Sequence, residues 1–185
     1  MELIKIHDKT FEPYVSAEQL NQIAERMASE VYQDLQESCP VFIAVLNGSF
    51  MFAADFVRHY KGECEISFVK MASYEGTQST GKIHQLIGLS TPVEGRDVVI
   101  LEDIIDTGNT LEEIYRLFEN QKVKSFRIAT LFFKPDAYKK DLKIDYVGKP
   151  IPNRFIVGYG LDFDEIGRNL PQVYQLNTSL TMTNL

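Results

Sequence analysis

The chain has 185 residues, with 26 acidic against 19 basic side chains and a net charge of −7. This argues against a broad electrostatic footprint for DNA, RNA or anionic lipid, so a small anion has to be caught locally. Its two cysteines, Cys39 and Cys64, have no paired spacing, its histidines (His7, His59, His84) are too scattered for an obvious zinc site, and no apolar run approaches the ~18 residues of a membrane span.

Residues 3–6 suit a short strand. Ser16 opens a helix whose apolar positions Leu20, Ile23, Ala24, Met27, Val31 and Leu35 recur at helical spacing, and Ser16 with Gln19 spells a capping box. Residues 41–46 form a compact apolar strand and residues 49–60 the next helix. Ile66, Phe68 and the positions up to Ser73 make another strand. Residues 74–81 are polar, glycine-bearing and poor in anchors, so they are expected to be mobile in the empty protein. A second alternating run at 82–89 makes the pair a long hairpin arm. Gly95-Arg96-Asp97 then turns the chain into an apolar run, Val98 to Leu101, that suits a strand buried on both faces. A helical pattern follows at Leu111, Ile114, Tyr115 and Phe118, and then a further strand at 125–133. Residues 144–147, 155–159 and 173–176 are short strands with Pro150, Pro152 and Pro171 between them. Strand-helix alternation through the middle implies a parallel sheet covered on both faces, with no internal repeat. The opening MELIKIHDKT lacks the basic-then-apolar order of a signal peptide. The expectation is a reduced, cytoplasmic protein folded as a single domain over residues 1–185, large enough to remove roughly 70% of its extended-chain surface from water.

The most informative stretch is the one after the Val98 run: Glu102, Asp103, Ile104, Ile105, Asp106, Thr107, Gly108, Asn109 and Thr110. A strand here delivers an acidic pair, a third acid and a hydroxyl/glycine turn to the mouth of a helix, where unpaired N–H groups and the helix dipole favour an anion. Ordinary capping explains one such residue, not three acids around two isoleucines. Glu102 and Asp103 are adjacent, so in an extended chain they face opposite sides, and their convergence on one ligand requires a bend. Two look-alikes fail. Residues 76–82 almost spell a nucleotide-hydrolase phosphate loop, but Ile83 stands where Ser or Thr is required, and a strand pattern follows in place of a helix. Gly158-Tyr159-Gly160 begins a dinucleotide fingerprint that Phe163 breaks.

The acidic string resembles the signature of the type I phosphoribosyltransferases, and the form with both Glu102 and Asp103 resembles their hypoxanthine-guanine branch. Further stretches match in order: residues 45–49, Ser73-Tyr74 through Gly81, Lys134, Arg154 through Tyr159 with Leu161-Asp162, and Arg168. The resemblance implies a mostly parallel central sheet flanked by helices (core roughly 16–150), a small hood from residues 1–15 and 151–185, and a flexible hairpin arm. It implies transfer of the phosphoribosyl group of 5-phosphoribosyl 1-pyrophosphate (PRPP) to hypoxanthine or guanine, giving IMP or GMP and pyrophosphate, with Mg2+ as cofactor.

The implied roles fall on named residues. The 5'-phosphate sits on the amides of Asp106, Thr107, Gly108, Asn109 and Thr110; Glu102 and Asp103 hold the ribose hydroxyls and help place the metal, with Asp162 at a second metal position. Leu46, Asn47 and Gly48 contact pyrophosphate largely through their backbone, often with a cis peptide before the second residue, and Arg168 contacts it too. Asn47 stands where many members carry Lys or Arg. Asp106 is the implied general base near N7, and Lys134 donates to the 6-oxo group, so adenine should be rejected. Phe155 stacks on the base, with Arg154, Ile156, Ile104 and Asp162 beside it, and Ser73 and Tyr74 close over the reacting centre. Taken singly, Phe155 and Tyr159 are core aromatics, Lys134 is a strand-end lysine and Arg168 a surface charge. The family commonly forms dimers or tetramers, so a homo-oligomer is expected, with no nucleic-acid or membrane partner. Two rivals share the fold: a xanthine-preferring sibling, and a PRPP-sensing regulator that binds nucleic acid and would need a basic face.

Overall fold

The computed structural model describes residues 3–72, 84–87 and 91–178. In chain order its elements are β1 (Ile4–Ile6), β2 (Lys9–Val15), α1 (Ala17–Leu35), β3 (Val41–Leu46), α2 (Phe50–His59), β4 (Glu65–Ala72) and β5 (His84–Ile87). They continue with β6 (Asp97–Ile105), α3 (Asn109–Phe118), β7 (Ser125–Phe133), β8 (Tyr146–Pro150), β9 (Ile156–Val157) and β10 (Val173–Leu176). Ser73 and Tyr74 lie outside the described residues, as does the turn of the expected arm.

The main sheet runs β5-β4-β3-β6-β7-β8. Five of its strands are parallel, and only the edge strand β5 is antiparallel, to β4. A parallel sheet needs cover on both faces, and the alternation of the strands supplies two apolar surfaces. Phe42, Ala44, Val99 and Leu101 pack with α1 and α2, while Val41, Ile43, Val98 and Ile100 pack with Leu111, Ile114 and Phe118 of α3. Helix α1 starts where its capping box dictates: Ser16 Oγ accepts from Gln19 N–H, and Gln19 Oε1 accepts from Ser16 N–H. Its buried face is Leu20, Ala24, Met27, Ala28, Val31 and Leu35.

A second sheet, ordered β1-β2-β10-β9, is antiparallel and joins the two ends of the chain, which is the hood expected of the terminal segments. Strand β2 has no counterpart in the sequence reading, because Pro13 lacks a ladder donor and masks the alternation. The structure accommodates Pro13 in two ways. Strand β1 pairs only with residues 9–11, and the register to β10 shifts between Val173 and Tyr174, opposite Pro13 and Val15.

The chain leaves β3 toward one edge of the sheet through β4, whereas β6 leads to the other edge through β7 and β8. The loops after the neighbouring strands β3 and β6 therefore diverge and open a crevice at the strands' carboxyl ends, where ligands bind in sheets of this kind.

Candidate active site

Four segments meet at that crevice. After β3, the Leu46–Asn47 peptide is cis, and Ser49 Oγ donates to Val45 O at 2.6 Å, closing the turn into α2. At Gly48 a Cβ would overlap the Asp103 carboxylate, which would have to move aside.

Strand β6 continues through the acidic pair to Ile105, beyond the apolar run Val98 to Leu101 that the sequence marks as strand. The bend that the pair needs is nevertheless present. Val99 and Leu101 face α1 and α2, and Val98 and Ile100 face α3; beyond the pair it is Ile104 that packs on the first face and Ile105 on the second, so the two-residue alternation slips across Glu102 and Asp103. Strand β7 slips beside it, with Leu131 and Phe132 on one face and Phe133 on the other. Thr130 Oγ1 donates to Phe132 O at 2.8 Å, and Asp103 Oδ1 accepts from Ile104 N–H at 2.8 Å. The two strands bend together and keep their pairing, Glu102 with Thr130 and Ile104 with Phe132.

Residues 102–111 then line a cleft of 300 Å³. Gly108 precedes α3 at φ +87, and no side chain among the described residues caps that helix, so its first N–H groups face the cleft without a side-chain acceptor. From behind, the Tyr138 ring and the Lys140 stem press on Gly108 so closely that a Cβ would overlap both. Lys140 Nζ is 2.5 Å from Glu112 Oε2 in the first turn of α3.

Lys134 follows β7 and is 7% exposed. Its N–H donates to Ile105 O at 2.9 Å, and its Nζ lies 2.7 Å from Asp106 Oδ2. The fourth segment, residues 158–168, folds over the Gly48 turn: a Cβ on Gly160 would strike the Gly48 carbonyl. Here Arg168 Nη1 donates to Gly160 O at 2.9 Å and Nη2 pairs with Asp162 Oδ1 at 2.9 Å.

A sequence profile described as the phosphoribosyl transferase domain matches residues 14–164, most of the chain. The chain belongs to the phosphoribosyltransferase family. It is 40% identical over 167 residues to a hypoxanthine-guanine phosphoribosyltransferase of Staphylococcus epidermidis, covering 90% of this chain and 93% of that protein. A crystal structure of a hypoxanthine-guanine phosphoribosyltransferase from Bacillus anthracis, with a HEPES molecule in its active site, superposes with a TM-score of 0.84 at 40% identity, over 90% of this chain and 98% of that one. A Staphylococcus aureus hypoxanthine phosphoribosyltransferase gives a TM-score of 0.85 at 38% identity, covering 91% and 92%.

For a phosphoribosyltransferase the electrostatics of this crevice are apt. Burial, with the nearby Asp103 charge, pushes the Glu102 carboxyl well above its ordinary value. Glu102 Oε2 is buried and finds no hydrogen-bond partner among the described residues. Burial likewise pushes Asp103 up to about 6, against the pull of backbone N–H bonds and the Arg168 charge. A buried carboxyl oxygen without a partner, beside a second acid whose value burial also raises, is a site short of cationic partners. Among the described residues no three acidic, His or Cys side chains form a cage of their own. That donor set suits Mg2+, which is bound through one or two carboxylates together with substrate phosphates.

The residues expected at the base divide. Phe155 is 42% exposed and meets Phe163 edge-on at 5.6 Å, and Ile156 is buried. The Arg154 guanidinium instead donates to Gln175 Oε1 at 2.8 Å, and Gln175 in turn donates to Glu12, so in this structure it serves the hood sheet. Gly160, Tyr138 and Lys140 join the site through contacts between segments far apart in the chain, which no local sequence pattern marks apart from the near-fingerprint around Gly158 and Gly160.

Proposed function

We propose that the chain transfers the phosphoribosyl group of PRPP to N9 of hypoxanthine or guanine, releasing pyrophosphate and giving IMP or GMP in purine salvage. The observation that carries the choice of base is Lys134, a buried ammonium delivered by β7 to within 2.7 Å of Asp106 at the mouth of an uncapped helix. A buried charge needs a partner, and Asp106 holds that place until a 6-oxo purine arrives. The 6-oxo group then accepts from Lys134, which frees the Asp106 carboxylate to take the proton from N7. The N9–C1' bond forms as the C1'–O bond to pyrophosphate breaks, and the leaving group departs with that bond's electron pair. An exocyclic amino group, as in adenine, offers Lys134 no such acceptor, so Asp106 stays paired with the ammonium and is not freed to act as base.

The 5'-phosphate is received by the N–H groups of residues 106–110 and the hydroxyls of Thr107 and Thr110, with Gly108 allowing close approach. Glu102, Asp103 and Asp162 would hold Mg2+ together with the substrate's oxygens, and the ion would supply positive charge against that developing on pyrophosphate. The backbone at Asn47 and Gly48 and the Arg168 guanidinium hold the departing group, and Phe155 offers its open face to the purine.

The enzyme works in the cytoplasm as a homo-oligomer, a dimer or tetramer. Ile66 and Phe68, exposed side by side along β4, supply apolar surface of the kind such contacts cover. Light scattering after gel filtration should return a multiple of the 21.2 kDa chain. The deciding assay mixes purified protein, PRPP and Mg2+ with hypoxanthine, guanine, xanthine or adenine and follows nucleotide formation. Turnover with hypoxanthine and guanine is expected; adenine turnover at a comparable rate would refute the role given to Lys134.

A further inference from the structure

We infer that Tyr159 and Asp55 are positioning residues for the pyrophosphate half of the site, their hydrogen bond fixing the loop that carries Asp162 and Arg168 against the Gly48 turn. The inference rests on the proposed reading for what the site binds. Three consecutive residues, Gly158, Tyr159 and Gly160, have φ values of +100, +53 and +99. Glycine takes up that conformation freely, but a bulky residue holds it only where its surroundings impose it.

Tyr159 is 4% exposed among core side chains, and phenylalanine would fill the same volume. What tyrosine adds is a hydroxyl that donates to Asp55 Oδ2 at 2.6 Å, in the second turn of α2. The other oxygen, Asp55 Oδ1, accepts from Arg58 at 3.0 Å, so the whole carboxylate is engaged. Burial first, and then the bond to Asp55, raise the phenol far above its ordinary value, which keeps it a donor throughout the neutral range.

Helix α2 begins directly after the Asn47-Gly48 turn, so the bond ties the body behind that turn to the residue before Gly160. Gly160 touches the Gly48 carbonyl, its N–H donates to Arg168 O at 3.0 Å, and its own carbonyl accepts from the Arg168 guanidinium. If the hydroxyl is removed, the two halves of the pyrophosphate site lose a directed tie and keep only the packing around it and the Gly160 contact with the Gly48 carbonyl. The Lys134 side of the purine site is carried by β7, which this tie does not touch.

Steady-state kinetics with hypoxanthine, PRPP and Mg2+, together with calorimetric binding of Mg2+-pyrophosphate, test this in Tyr159→Phe, Asp55→Ala, their double variant and Asp55→Asn. In Tyr159→Phe the PRPP KM and the pyrophosphate Kd are expected to rise about three- to tenfold, the range of one hydrogen bond. The hypoxanthine KM should stay within about twofold, Asp55→Ala should match Tyr159→Phe, the double variant should be no worse than either, and Asp55→Asn, which keeps an acceptor, should remain near wild type. Unchanged PRPP KM and pyrophosphate Kd would overturn the inference. So would a parallel rise in both substrates' KM with a lowered melting temperature, since that is the signature of a structural role alone. Wild-type protein that turns over no purine would refute the proposed function, and the pyrophosphate titrations would still decide the role of the tie.

Discussion

Asp106 and Lys134 neutralise one another across 2.7 Å, and each is a different kind of risk to the empty protein. The lysine is buried and would be costly unpaired, by several kcal/mol, whereas Asp106 is open enough to be solvated without it. Replacing the acid by its amide keeps an acceptor for the lysine and removes only the base. Asp106→Asn is therefore expected to retain PRPP affinity while kcat falls on the order of 10²–10⁴, as read by steady-state kinetics and PRPP titration together. Turnover at the wild-type rate would remove Asp106 from the mechanism. Gly48 acts at the same scale through space alone. A methyl group at Gly48 has to displace the Asp103 carboxylate, because nothing separates the two. Gly48→Ala is expected to raise the KM for PRPP by about tenfold or more, roughly 1.4 kcal/mol, with a much smaller effect on the KM for hypoxanthine. Equal changes in both would point to general misfolding instead.

Among the elements, those governed by local chemistry are the ones legible in the sequence. Strands β3 and β7 and the start of α1 fall where the residues place them, because an apolar run or a capping box four residues long carries its own instructions. Ser16→Ala should accordingly cost about 1 kcal/mol of stability with kinetics unchanged, measured by urea denaturation beside an activity assay; a kinetic defect would mean that α1 reaches further toward the site than its position suggests. The bend at Glu102 and Asp103 is a different matter. The need for it follows from two adjacent acids on a strand, but its means do not, since the slip is shared with β7 and held by Thr130 Oγ1 on Phe132 O. For the same reason the tie between Tyr159 and Asp55, 104 residues apart, is invisible in the sequence, as is the diversion of Arg154 to Gln175. The cradle of residues 106–110 was legible because it is continuous; its supports were not, because they come from elsewhere in the chain.

Across the whole molecule, function gathers at the carboxyl ends of the parallel strands and fastening at their amino ends. There Asp97 opens β6, 5% exposed, with Lys124 Nζ at 2.8 Å and Ser125 Oγ at 2.6 Å from its two oxygens, so that the carboxylate clamps the start of β7 to β6. Burial alone would raise this carboxyl, but the bonds from Lys124 and Ser125 and the Lys124 charge outweigh it and hold Asp97 below its ordinary value. A group with a lowered folded-state value binds fewer protons folded than unfolded. Its stabilisation is thus complete above the ordinary carboxylate value, about 3.9, and is lost as pH falls through the lower, folded one. Asp97→Asn removes this term while keeping the side chain's shape. The variant should be less stable than wild type by about 1–3 kcal/mol from neutral pH down to about pH 5, with the gap narrowing below about pH 4. Urea midpoints across that range measure it. Because Asp97 lies far from the cleft, kcat and both KM values should be unaffected at neutral pH, and a stability gap that persisted undiminished into acid would show that the loss is one of packing and not of charge.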